Sequence, residues 1–148
     1  MANPLTLVVG VHLVLIEEDH VLLGLRRNTP YAAGLWHVPA GHLEAGETVT
    51  HAMTREADEE LGITIAPDDL RLVHTLHHLD PDDGADRLQL FFRPVRYEGD
   101  ADNREPEKCD RLAWWPLGRL PGNTVDYTVQ ALDEIRRGSP LSVAGRPL

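Results

Sequence analysis

The stretch from Thr48 to Leu61 contains neither Gly nor Pro and carries three glutamates, Glu56, Glu59 and Glu60. At roughly 100° per residue from Val49, Ala52 falls near 300° and Met53 near 40°, with Glu56, Glu60 and Glu59 near 340°, 20° and 280°. The three carboxylates therefore share the apolar sector, while Thr54, Asp58 and His51 take the opposite side. Carboxylates spaced i, i+3 and i+4 on an inward face repel one another, and desolvation adds to the cost. A hard divalent cation bound through oxygen relieves both penalties. Mg²⁺ in particular is held by a few carboxylates and completes its octahedron with water and substrate phosphates.

This helix needs a frame. Thr48 suits an N-cap, and Gly62 stands where a helix end wants a left-handed residue. Leu5 to Ile16 followed by Val21 to Leu25, with the polar turn Glu17 to His20 between them, reads as a hairpin. Asn28 to Gly34 is a loop, Leu35 to Val38 a short strand stopped by Pro39, and Gly41 and Gly46 punctuate a second loop. Leu70 to Leu79 and Leu88 to Tyr97 read as strands flanking an Asp-rich loop, and Arg111 to Trp115 as another strand. Thr124 to Arg137 reads as a closing helix with Asn123 as its N-cap, and residues 139–148 as an irregular tail. Strands with two well-placed helices imply an α/β fold, a mixed sheet with a helix on each face, in one domain over 1–148.

Composition narrows the partners. Fourteen Lys plus Arg against 24 Asp plus Glu give a formal charge of −10, so no basic face awaits a nucleic-acid polymer. An acidic protein with an anionic substrate needs a cation between them. The single cysteine, Cys109, cannot form an internal disulfide, no secretory pattern opens the chain and no apolar run approaches a bilayer's thickness. Cytoplasmic residence without membrane contact is expected.

Gly41, then Glu47 after five residues, then Arg55-Glu56-Ala57-Asp58-Glu59-Glu60-Leu61-Gly62-Ile63 after seven more, resembles the Nudix box at all of its nine specified positions. The flanks are similar to the family as well: a hairpin ending in Arg26-Arg27, Gly34-Leu35-Trp36-His37-Val38-Pro39 leading into residues 41–63, and Trp114-Trp115-Pro116 further on. Ala40, where many members have a second glycine, and the small Ala57 depart from the usual pattern without removing a chemical group.

The resemblance implies a Nudix-type α/β/α sandwich and a MutT-like pyrophosphohydrolase that uses Mg²⁺, with Mn²⁺ as a substitute, to carry water onto phosphorus. Glu56 and Glu60 would be metal ligands and Glu59 a third ligand or the general base. Arg55 would orient acids, Glu47 foremost, and Gly41 would permit a tight turn that lets the carbonyl of Ala40 reach the metal. Glu107, with Glu105 in reserve, would add a further acid, and Arg26 or Arg27 would bind a terminal phosphate. Asn123, the alternative Asp126, or Tyr127 would meet the base, with Trp115 or Tyr31 as other stacking faces. The expected substrate is a nucleoside triphosphate or related nucleotide, met by a monomer or homodimer. ADP-ribose or a nucleotide-sugar is the alternative within the enzyme class, and a non-catalytic nucleotide-binding module the alternative outside it.

Other signals are weaker. Counting from Asp80 puts Ala85 and Phe91 where a calcium loop needs Gly and Glu. His74, His77 and His78 have no second ligand cluster to make a zinc site. Cys109 has no paired base.

Overall fold

The computed structural model describes residues 3–79 and 86–145. In chain order these form β1 (Val8–Leu13), β2 (Ile16–Glu17), β3 (His20–Arg26), β4 (Trp36–His37), β5 (Ala40–His42), α1 (Val49–Leu61), β6 (Leu70–Leu79), β7 (Arg87–Pro94), β8 (Cys109–Pro116), α2 (Asp126–Arg136) and β9 (Leu141–Gly145). A 3-10 turn, Pro67–Asp69, leads into β6. Most of the expected Asp-rich loop and the last three residues of the expected tail lie outside the described residues.

The larger sheet has the order β5-β1-β7-β6-β9. It is mixed, because β1–β7 and β6–β9 are parallel whereas β1–β5 and β6–β7 are antiparallel. In the smaller sheet β3 pairs antiparallel with β2, β4 and β8. One apolar core joins Ala52, Met53, Ala57 and Leu61 of α1 to Val11, Leu13 and Phe92. The other joins Ala131 and Leu132 of α2 to Leu76, Phe91, Val21, Leu23 and Trp36. The larger sheet thus lies between two helices, the α/β sandwich that the pattern of elements implies. Among the described residues no helix is long and apolar enough to cross a membrane.

Three expectations change. The opening hairpin is confined to β2 and β3, whose turn places Glu18 and Asp19 at φ of 50° and 62°; two successive left-handed residues match strand twist in a two-residue turn. Strand β1 instead lies inside the larger sheet between β5 and β7, as suits a strand with four consecutive buried residues. The tail is not irregular throughout, since Leu141–Gly145 is β9, parallel to β6 and tied down by His74, whose Nδ1 and Nε2 lie 2.7 Å from the Ser139 carbonyl and the Ser142 hydroxyl. Finally, α2 begins at Asp126 with Val125 as its N-cap and no side-chain cap; Asn123 donates from Nδ2 to the Gly34 carbonyl at 3.0 Å.

Candidate active site

Thr48 caps α1 by accepting from the His51 N–H, and Gly62 ends the helix at φ 69°. With its apolar stripe buried, α1 turns Glu56 and Glu60 towards β5 along the flank of that stripe. Glu56 is only 13% exposed in its side chain, whereas Glu59 is 52% exposed. Two of the three glutamates therefore face inward as the helical angles imply, and the third stands at the rim. Gly41 is needed for a different reason from the expected turn: it pairs with Val11 in β5, and a Cβ there would overlap the Glu56 carboxylate. The left-handed residue in this segment is Gly46, at φ 84°.

Arg55 ties the acids together. Its Nε and Nη2 donate to the two Glu47 oxygens at 2.8 and 2.9 Å, the bidentate geometry guanidinium favours. Its Nη1 donates to Glu56 at 2.8 Å and to Glu59 at 3.4 Å, and Nη2 reaches the His42 carbonyl at 3.2 Å. The Arg55 fork holds the Glu47 carboxyl down to about 2. Glu60 behaves oppositely. Burial, followed by the charges of Glu56 and Glu105, pushes its carboxyl up to about 8 despite an Ala40 N–H donated at 3.2 Å. Burial also raises Glu56, against the pull of Arg55.

Arg55, Glu56, Glu59 and Glu60, but not Glu47, line one end of an open cleft of about 840 Å³. Glu105 lines it, while the expected Glu107 is exposed, does not line it, and accepts from Asn28 through its backbone carbonyl at 3.3 Å. Arg26 lines the cleft, its Nε on the Tyr31 carbonyl at 3.1 Å and its guanidinium 5.9 Å from the Tyr31 ring centre. Arg27 turns away to Asp110 at 3.4 Å. Tyr127 lines the cleft and also an adjoining groove of about 720 Å³, where exposed Asn123 and Asp126 lie. Trp115 lines neither. Cys109 is half-buried at the cleft, its thiol pKa raised by burial, which makes it a poor nucleophile.

The far end of the cleft was not foreseen. His12, His37, Gln89 and Tyr127 meet there. Burial lowers His12 to about 4 and His37 well below its usual value, so both imidazoles are neutral at pH 7. The available signal was a polar residue breaking each of two apolar strands, His12 within Val8–Ile16 and Gln89 within Leu88–Phe92.

The carboxylate end fits a hard cation. Its donors are oxygens, and Glu60 is buried beside the like charges of Glu56 and Glu105, burial first and those charges second holding its proton on, so a cation there would be favoured. Among the described residues no three His, Cys, Asp or Glu side chains already converge on one point, and Arg55 draws Glu56 and Glu59 towards itself.

A mixed sheet between two helices, with the acids of the first helix delivered to a cleft at the sheet's edge, defines a Nudix-type hydrolase fold. The chain belongs to the Nudix family: residues 6–134 match the NUDIX domain. It is 40% identical over 99 residues to the low-salt glycan biosynthesis protein Agl8 of Haloferax volcanii, covering 66% of this chain and 62% of that one. It is 41% identical over 109 residues to the human 8-oxo-dGDP phosphatase NUDT18, covering 72% of this chain but 31% of the relative's length. The MutT NUDIX hydrolase of Burkholderia pseudomallei superposes with a TM-score of 0.78 at 28% identity, over 86% of this chain and 97% of that one. A MutT protein of Bacillus halodurans has the same fold, with a TM-score of 0.72 at 21% identity over 95% and 92% of the two chains.

Proposed function

We propose that this Nudix hydrolase, as one domain over 1–148, cleaves a phosphoanhydride bond in a nucleoside triphosphate or related nucleoside diphosphate derivative with Mg²⁺, Mn²⁺ being a substitute. The observation that carries the reading is the enclosure of Glu60 beside Glu56 and Glu105 at one end of a cleft large enough for a nucleotide. Relatives named as an 8-oxo-dGDP phosphatase and an oxidized purine nucleoside triphosphate hydrolase support it.

Glu56 and Glu60, with Glu59 and the Ala40 carbonyl, would hold the cation, and the cleft favours Glu105 over Glu107 as the additional acid. A bound Mg²⁺ offsets polyphosphate charge and acidifies water. The chain's own groups do the rest. Arg55 keeps Glu47 ionised and holds Glu47 and Glu56 in place, so the acids need little rearrangement when substrate arrives. Glu59, more exposed at the rim and only 3.4 Å from Arg55, would serve as ligand or take a proton from the attacking water. Arg26 would meet a phosphate, a reading supported by its place in the cleft lining, while Arg27 lies against Asp110 instead. Attack on one phosphorus gives a monophosphate and pyrophosphate, attack on another a diphosphate and phosphate.

The chain is expected to act in the cytoplasm on small nucleotides, as a monomer or homodimer, without membrane or nucleic-acid polymer. The test is release of phosphate or pyrophosphate from a panel of nucleoside triphosphates, nucleoside diphosphates, ADP-ribose and a nucleotide-sugar, with Mg²⁺ or Mn²⁺ and a chelator control. Metal-dependent turnover of a nucleotide is expected, and ¹⁸O water then marks the phosphorus attacked. No turnover of any substrate would instead favour a nucleotide-binding module.

A further inference from the structure

The parallel register of β1 and β7 sets Gly10 beside Gln89 and His12 beside Phe91, with Gln89 and His12 on the α2 side of the larger sheet. The His12 ring stacks on Phe91, centres 4.6 Å apart and planes 16° apart, and meets His37 edge-on at 5.2 Å. Its Nε2 lies 2.7 Å from Gln89 Oε1. A carboxamide oxygen can only accept, so His12 Nε2 carries the proton and donates it. Gly10 makes room for this arrangement, because a Cβ there would overlap Gln89 Oε1 and stand 3.0 Å from His12 Nε2. Both side chains line the cleft although His12 is 2% and Gln89 5% exposed. With its oxygen accepting from His12, the Gln89 carboxamide is left with its two N–H groups to offer a ligand.

We propose that Gly10 and His12 lock Gln89 as a one-way hydrogen-bond donor, which selects nucleotides whose base brings a carbonyl oxygen into the cleft over those that bring an amino group. The inference rests on the nucleotide reading above and assigns its selectivity. A carbonyl completes the Gln89 N–H, whereas an amino group sets donor against donor where water has little access, and an unmatched buried donor is costly. The neutral rings of His12, His37 and Tyr127 suit an uncharged flat base, and Glu56 and Glu60 stand at the other end of the same cleft. His12 acts through Gln89 and is a positioning residue.

Inosine and adenosine 5′-triphosphates carry a carbonyl oxygen against an amino group at C6, the neighbouring N1 donating in the first and accepting in the second, so the change of their kcat/KM ratio between the unaltered protein and its variants reads the lock. The unaltered protein should favour the inosine nucleotide by about tenfold. Gln89→Glu, an acceptor only, should abolish or reverse that preference. His12→Phe keeps the stacked ring but lets the carboxamide turn, so the ratio should fall towards one, chiefly through KM. Gly10→Ala should do the same, with thermal unfolding reporting that each variant is folded. Equal use of the two nucleotides by the unaltered protein, or an unchanged ratio in folded His12→Phe, overturns the inference while leaving the nucleotide reading intact. Failure to hydrolyse any nucleotide of the panel removes both.

Discussion

Glu60 carries the sharpest expectations at the scale of single residues. Glu60→Gln should lower kcat by orders of magnitude and weaken apparent Mg²⁺ affinity while leaving the fold intact, which steady-state kinetics against Mg²⁺ concentration would show. The raised carboxyl also has a consequence for stability. A group near 8 when folded and near its ordinary value when unfolded binds more protons in the folded state between those limits, so its contribution is lost as pH rises through about 8. At pH 6.5 an unfolded imidazole is still half protonated whereas buried His12 and His37 are neutral, so these two oppose Glu60 with a smaller gain as pH rises to 8.5. Metal-free protein should lose roughly 1 kcal/mol, about 3 °C in Tm, over that window, and Glu60→Gln should turn the loss into a small gain. Gly41→Ala should cut activity at least tenfold by pushing Glu56 aside, with far-ultraviolet circular dichroism unchanged.

At the scale of elements, α1 was legible to its caps because helix periodicity, Thr48 and Gly62 all speak locally. What failed depended on distant partners. Pairing of β1 with β7 joins residues 79 apart, as Gly10 with Gln89 and His12 with Phe91, and an apolar run does not say which strand it will meet. Ser139 to Leu148 looks irregular because of Pro140, Gly145 and Pro147, yet β6 supplies the pairing that makes Leu141–Gly145 a strand. Asn123 has the residue type of a cap but is spent on Gly34. The inward turn of Glu56 and Glu60 was legible for the same local reason as their helix, though not the exposure of Glu59, whereas Gln89 and His12 meet only once β1 and β7 are side by side. Truncation after Gly138 should leave His74 buried without two of its partners and lower stability by about 3 kcal/mol, measured by urea unfolding.

At the scale of the molecule, an acidic chain gathers charge where a cation would relieve it. Mg²⁺ at a hundredfold excess over its Kd at pH 8.5 should stabilise the fold by roughly 2.7 kcal/mol there, the same concentration should stabilise it less at pH 6.5, and a chelator should reverse the gain. The same cleft has two chemically distinct ends, and the larger sheet divides the labour between them. In β1, Val11 and Leu13 pack towards α1, while His12 faces the imidazole floor. Reading frame along this strand is therefore shared property. An inserted residue ahead of Val11 would send the imidazole into the oily side and a valine into the cleft, unseating the cutting end and the choosing end in one stroke, although neither had lost a single atom.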